Sequence, residues 1–306
     1  MKTEFSMFDA ADGARLPAYI YLPDGEVKSV LQLTHGMTEH MGRYKTTAEI
    51  LTEKGIALAG FDLRGHGKNE GSRTCASFGE GGWDRTLQDM HIFHEILCRR
   101  FVDIPQAMLG FSLGSFLLRD YLNSFDDKLW KAVIMGSGWQ PGFVLTVLKK
   151  TVQGQINKFG FDNSSSLVNK LSLEAYNGKF RPNRTASDWL CSDEKELVAY
   201  IEDPLCRNEI SGGLFWQMLD SMQRTGSSTA YNNWDKNMPV LLLSGADDPV
   251  GDMGRGVRKL KSEMEKAGVK SVSLQLLTSA RHDVLHEEKS GAREKAIKLI
   301  LEFLNN

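Results

Sequence analysis

Apolar runs of five or six residues recur toward both ends of this chain, and each gives way to a stretch with helical spacing. Ser29-Val30-Leu31-Gln32-Leu33-Thr34 is one such run, closed by His35-Gly36. Over 44–54, Ala48 and Leu51 share a helical face, and Gly55 stands where a helix stops. Ile56–Phe61 is a second apolar run. Over 83–101 the positions Trp83, Leu87, Met90, His94 and Leu97 trace one side of a long amphipathic helix. Residues 106–109 and 132–136 read as further strands, with a helical pattern at Phe116-Leu117-Leu118 between them. Near the other end, 239–244 predicts a strand, 254–267 a helix, Val272–Leu277 a strand and 292–304 a closing helix. Strands apolar at every position are covered on both faces. The alternation therefore predicts an α/β fold, a mostly parallel sheet of about eight strands with helices on both sides. Residues 4–9 and Arg15–Leu22 alternate in polarity instead. Flanking Asp12-Gly13, they predict an antiparallel hairpin at the sheet edge.

Between 139 and 234 the rhythm breaks. Apolar helical faces remain at Phe143, Val144, Val147 and Leu148, at Leu197, Tyr200 and Ile201, and at Leu214, Phe215, Met218, Leu219 and Met222. Polar loops rich in Asn and Ser separate them, and no strand stands out. The pattern predicts a core in two parts, 1–138 and 235–306, interrupted by a helical cap over 139–234. Such a cap sits over the carboxyl edge of the strands, where α/β proteins place their sites.

Composition narrows the class. The 306 residues are 41% hydrophobic and 25% charged, with a formal net charge of −2, which is ordinary for a globular protein. No basic stripe points to nucleic acid. No apolar run approaches the roughly 20 residues of a membrane span, and Met1-Lys2-Thr3-Glu4-Phe5 lacks the apolar centre of a signal peptide. Cys75, Cys98, Cys191 and Cys206 show no paired spacing, so free thiols in a reducing cytoplasm are expected.

The chemistry concentrates at Gly110-Phe111-Ser112-Leu113-Gly114, a G-x-S-x-G sequence between a strand pattern and a helix pattern. That is the setting of a nucleophile elbow, a tight turn that lifts a serine hydroxyl above the sheet. With 29 glycines in the chain the motif alone is a moderate signal, so its partners decide. A serine needs a base, and the base an orienting carboxylate. The loop after strand 239–244 carries Asp247-Asp248, and the loop after Val272–Leu277 carries His282. All lie past strand ends, in the order Ser, Asp, His that this kind of fold uses. A rival reads His282-Asp283-Val284-Leu285-His286 as a zinc-binding histidine pair on one helical face. It lacks the usual glutamate and an obvious third ligand. His35 and His66, beside glycines, read as loop-bracing residues, and His91 and His94 as surface or half-buried ones. Gly251-Asp252-Met253-Gly254-Arg255-Gly256 lacks the strand and helix order of a nucleotide site.

With those residues in view, the chain resembles the α/β-hydrolases of the monoacylglycerol lipase and lysophospholipase group, also called serine aminopeptidase S33-like hydrolases. The resemblance rests on His35-Gly36-Met37 with Glu39-His40 and Arg43-Tyr44, Asp62-Leu63-Arg64-Gly65-His66-Gly67, the elbow, Gly245-Ala246-Asp247-Asp248-Pro249-Val250, and Arg281-His282. It implies Ser112 as nucleophile, His282 as general base and then acid, and Asp248, by the group's G-x-x-D pattern, as the carboxylate. It implies the backbone N–H groups of Met37 and Leu113 as the oxyanion hole, with Met37 a departure from the small residue often found there. The implied activity is hydrolysis of lipid-like monoesters through an acyl-enzyme, without metal or organic cofactor. Phe143, Val144, Val147, Phe215, Trp216 and Met218 are the candidates for an acyl tunnel in the cap. A short-chain or aryl carboxylesterase, or a peptidase using Glu194, Glu196, Glu202 and Asp203 to hold an amine, would use the same triad. An acyltransferase and a ligand-binding relative without turnover remain as readings outside hydrolysis.

Overall fold

The computed structural model describes residues 1–69, 75–206 and 209–306. The described strands form one eight-stranded sheet in the order β1-β2-β4-β3-β5-β6-β7-β8. Their ranges are β1 Lys2–Asp9, β2 Arg15–Leu22, β3 Ser29–Thr34, β4 Ile56–Phe61, β5 Gln106–Phe111, β6 Lys131–Met135, β7 Val240–Gly245 and β8 Val272–Leu277. The expected edge hairpin is present: β1 pairs antiparallel with β2 from Lys2↔Leu22 to Asp9↔Arg15, and β2 antiparallel with β4. The remaining neighbours pair in parallel. Each of β3 to β7 is buried at every position, whereas β8 alternates between half-buried and exposed, as an outer strand does.

Helices cover both faces. α1 (Lys45–Glu53) and α10 (Ala292–Asn305) bury Ala48, Leu51, Ala296, Ile297, Ile300 and Leu304 against one side. α2 (Gly82–Arg100), α3 (Leu113–Ser124) and α9 (Arg255–Lys266) pack on the other. Leu113, Phe116, Leu117, Leu118 and Tyr121 of α3 are at most 1% exposed, and burying each apolar side chain contributes about 1.5–3 kcal/mol. The α2 face forms as its spacing predicts. His94, expected at the surface or half-buried, is instead buried at 4% exposure on the apolar face of α2, and its Nε2 lies 3.4 Å from the Cys98 thiol. Burial lowers its pKa.

Between β6 and β7 the described residues form five α-helices: α4 (Gly142–Phe159), α5 (Ser166–Leu171), α6 (Leu173–Asn177), α7 (Glu194–Glu202) and α8 (Gly212–Arg224). Ser165, Asp193 and Ser211 cap α5, α7 and α8 with side-chain oxygens on backbone N–H groups. Because β3, β5, β7 and β8 run parallel, the loops that follow them share one sheet edge.

Candidate active site

The turn after β5 is built by its glycines. A Cβ on Gly110 would fall 2.3 Å from the Gly114 carbonyl oxygen, and one on Gly114 would fall 2.1 Å from that of Thr34. Neither contact is possible for an L side chain, so the backbone closes here only with glycine. The turn leaves Ser112 at φ 51, ψ −115, a strained conformation for a non-glycine residue. Its hydroxyl is thereby lifted off the sheet at the start of α3.

Three distant segments meet at that hydroxyl. Ser112 Oγ lies 2.8 Å from His282 Nε2, and His282 Nδ1 lies 2.9 Å from Asp248 Oδ1. Asp248 Oδ1 also accepts the Val250 N–H at 2.8 Å, and Ser244 Oγ sits 3.1 Å from Oδ2. A carboxylate only accepts, so the His282 Nδ1 proton points to Asp248 and the bare Nε2 faces the serine O–H. The three side chains are nearly closed to solvent, with Ser112 8%, His282 1% and Asp248 0% exposed. Asp247, one residue earlier, points outward and is exposed.

The His282 ring packs against Phe111 and Trp189, each with its centroid 4.9 Å away. Trp189 in turn packs on Tyr176 at 5.2 Å. Trp189 and Tyr200 also wall a cavity of about 180 Å³ with Leu173 and Leu190. Sequence reasoning missed Trp189. It lies in a polar loop without periodicity, and the sole signal was a tryptophan among small and polar residues.

The N–H groups of Met37 and Leu113 have no protein acceptor among the described residues. The loop carrying Met37 is braced from below. His35 Nε2 accepts the Leu63 N–H at 3.0 Å, so its Nδ1–H donates to the Gly36 carbonyl at 2.8 Å. That carbonyl shares its peptide plane with the Met37 N–H, so the imidazole sets the direction of the donor. Burial lowers the His35 pKa to about 4, which keeps the ring neutral and able to accept. His66 Nδ1 bonds the Arg64 carbonyl at 2.8 Å, the bracing use expected of it.

Glu39 holds the same loop from the side. Its Oε1 accepts the Gly36 N–H at 2.5 Å and the Tyr44 hydroxyl at 2.7 Å, and Oε2 accepts from Arg43. Arg43 Nη2 reaches Asp283 Oδ2 at 3.1 Å, which ties the loop after β3 to the residue beside His282.

The zinc geometry does not form. Val284–His286 is a single 3-10 turn, so His282 and His286 do not share a helical face. His282 is occupied by Ser112 and Asp248, and His286 by Asp283 Oδ1 at 2.8 Å and the Arg43 carbonyl at 3.0 Å. His40, Asp203 and Cys206 bring ligand atoms within 4.8 Å of one another. Yet His40 Nδ1 accepts the Gly42 N–H, so Nε2 keeps its proton for Asp203 at 2.9 Å and offers no lone pair to a metal.

The acyl-tunnel candidates are dispersed. Phe143 and Val147 on α4 are 75% and 61% exposed, with Val144 half-buried beside them. Phe215 and Met218 are buried in the core cluster. Trp216 lines a separate cavity of about 280 Å³ with Trp83, Phe161 and Arg224, and carries Lys149 Nζ 4.7 Å from its ring centroid.

Similar sequences and a similar architecture occur elsewhere. A monoacylglycerol lipase from Mycolicibacterium smegmatis is 27% identical over 92% of this chain and 90% of its own length. The human monoglyceride lipase is 26% identical over 91% of this chain and 82% of its own. A thermostable carboxyl esterase from Bacillus coagulans superposes with a TM-score of 0.89, covering 100% of this chain and 98% of the other at 21% identity. The family model described as serine aminopeptidase, S33 matches residues 25–289. That match takes in β3, the elbow and the loops after β7 and β8, and the chain belongs to the serine aminopeptidase S33 family.

Proposed function

We propose that this chain is a serine hydrolase that cleaves carboxylic esters through an acyl-enzyme, with monoacylglycerol-like monoesters as substrates. The observation that carries the reading is the continuous line from Asp248 Oδ1 through His282 to Ser112 Oγ, at 2.9 and 2.8 Å. Ser112 attacks the ester carbonyl as His282 Nε2 takes its proton. The oxyanion is received by the N–H groups of Met37 and Leu113, each worth about 3 kcal/mol in the transition state. His282 then protonates the leaving alcohol, and water repeats the steps with His282 as base. Asp248 holds the imidazole in the tautomer this requires and stabilises its charged form.

The lipid preference is supported by the monoacylglycerol and monoglyceride lipases among the relatives. Residues 139–234 serve as the cap over the site, supported by the packing of Trp189 on His282. An aminopeptidase would need a free carboxylate there for the substrate amine. Glu196 is paired with Arg293 and Asp203 with His40, leaving only the exposed Glu194 and Glu202 of the expected four. Free thiols at Cys98, Cys191 and Cys206 support a reducing, cytoplasmic setting, and no helix among the described residues is long and apolar enough to cross a membrane.

Rates on monoglycerides from acetyl to palmitoyl, alongside an amino-acid p-nitroanilide, test the reading. Hydrolysis of the esters with Ser112→Ala inert is expected. Faster turnover of the anilide, or ester hydrolysis surviving in Ser112→Ala, overturns it.

A further inference from the structure

The loop beside the proposed oxyanion hole holds a backbone conformation that its own residues do not favour. Thr38 sits at φ 62, in the left-handed region. For a β-branched residue this costs on the order of 1–3 kcal/mol and persists only where surrounding contacts enforce it. Thr38 is 3% exposed, and its contacts have a definite direction. Its hydroxyl donates to the Met37 carbonyl at 2.6 Å. A hydroxyl has one proton, so in its 2.7 Å contact with the Tyr200 hydroxyl Thr38 accepts and Tyr200 donates. Tyr200 belongs to α7, 162 residues further along the chain, between β6 and β7. The Arg43 guanidinium lies 5.1 Å from its ring centroid, and the His40–Asp203 bond ties the end of α7 to the same loop.

Met37 is thus held on both flanks. The Gly36–Met37 peptide, which carries the N–H, is fixed through its carbonyl by His35 from the core. The Met37–Thr38 peptide is fixed through its carbonyl by Thr38, and Thr38 by Tyr200. We propose that Tyr200 is a positioning residue for the oxyanion hole: acting through Thr38, it fixes the peptide after Met37 and so helps hold the Met37 N–H in the direction His35 gives it. The inference rests on Met37 being an oxyanion donor, as the hydrolase reading assigns. Tyr200 touches no reacting atom in this role. Its effect falls on the transition state, where the negative oxygen forms, and not on the bound ester.

Tyr200→Phe removes only the hydroxyl. Against a p-nitrophenyl ester, kcat is expected to fall about 10- to 100-fold, less than the loss of a whole oxyanion donor, with KM within about twofold. Labelling by a fluorophosphonate, whose phosphonyl oxygen uses the same hole, falls in parallel. Thr38→Val cuts the same link from the other side and gives a similar loss, while Thr38→Ser restores most of the rate. The double variant Tyr200→Phe, Thr38→Val is no slower than either single one, because both break one chain of bonds. Melting temperatures of the variants report whether each folds. An unchanged kcat in Tyr200→Phe, a loss confined to KM, or additive losses in the double variant overturns the inference. Ser112→Ala separates the two levels. If it is inert while Tyr200→Phe keeps its kcat, the hydrolase reading stands and this inference fails. If Ser112→Ala still turns over, both fail.

Discussion

Replacing Arg43 by methionine asks how much the charged group beside the loop after β3 contributes to the fold. The Arg43 side chain is 10% exposed and lies between Glu39, 1% exposed, and Asp283, 2% exposed. Methionine preserves much of the aliphatic stem but leaves both carboxylates without their cation. Removing one partner of a buried ion pair costs about 3–5 kcal/mol, chiefly through the charge left behind. The cost does not double, because Glu39 keeps the Gly36 N–H and the Tyr44 hydroxyl and Asp283 keeps His286. Burial alone would raise the Asp283 carboxyl, but His286 and Arg43 hold it well below the usual carboxylate range. A carboxyl with a lowered folded pKa contributes stability above its unfolded value of about 3.9 and loses it as the pH falls. The deficit of Arg43→Met is therefore greatest near neutrality and narrows on acidification, as the stranded Asp283 carboxyl takes up a proton. For 306 residues the unfolding entropy is about 0.6 kcal/mol per kelvin, so the cost appears as a fall in Tm of about 5–8 °C at neutral pH. Calorimetry at neutral pH and near pH 4 reads both the size and the trend. A fall of less than about 2 °C, below the roughly 1 kcal/mol of an exposed pair, or a deficit that widens in acid, refutes the argument.

Asp248→Asn is expected to lower kcat on a p-nitrophenyl ester by about 10⁴-fold, since the imidazole then adopts the wrong tautomer. Asp247→Asn, at an exposed position, should stay within about twofold; the reverse ranking would move the acid by one residue. His35 and His66 are lowered by burial to about 4 and about 3, so both stay neutral in the folded chain while their unfolded forms protonate near pH 6.5. Their stabilisation is complete above about pH 6.5 and is lost on acidification, with a limiting slope of about 2.7 kcal/mol per pH unit for the pair. His66→Phe should roughly halve that slope in urea melts between pH 6 and 4, and an unchanged slope would show that other groups govern acid unfolding. Incubation with EDTA should leave the ester rate unchanged; a reversible loss restored by zinc would point back to the grouping of His40, Asp203 and Cys206.

The core was legible because its physics is local. Strands that are largely apolar along their length have no solvent face, so β3 to β7 could be read from their runs of apolar residues. The elbow announced itself through glycines that no other residue can replace. The parallel order then placed the loops of Asp248 and His282 on one edge. Residue spacing had no such hold on residues 139–234, the proposed cap. Helical periodicity identifies which residues share a face, but not whether another element covers that face. Phe143 and Val147 share one and are left 75% and 61% exposed, while Phe215 and Met218 share another and are buried. Leu197, Tyr200 and Ile201 read as one packing stripe. Yet Tyr200 is 5% exposed and turns its hydroxyl to Thr38, and Ile201 is 38% exposed. The contact of Trp189 with His282 depends on a loop folding back across the site, which no spacing rule encodes.

The two proposed oxyanion donors are held by different routes, and both routes pass through the inserted segment. Leu113 opens α3, and the same helix carries Arg119, a fully buried guanidinium. Arg119 donates to the Gly138 carbonyl at 3.1 Å and the Thr225 carbonyl at 2.6 Å, and Trp139 Nε1 donates to the Gly226 carbonyl at 2.7 Å. These bonds draw the start of the insertion and the end of α8 together over the elbow helix. Carbonyls satisfy a guanidinium only while they stay in place, so moving this base would strand a buried cation. The far attachment, Tyr200 on Thr38, is a bond between two neutral hydroxyls, but the His40–Asp203 and Glu196–Arg293 pairs at the two ends of α7 back it. Both routes to the proposed donors therefore run through charged anchors, and neither gives way without leaving an ionised group unpaired.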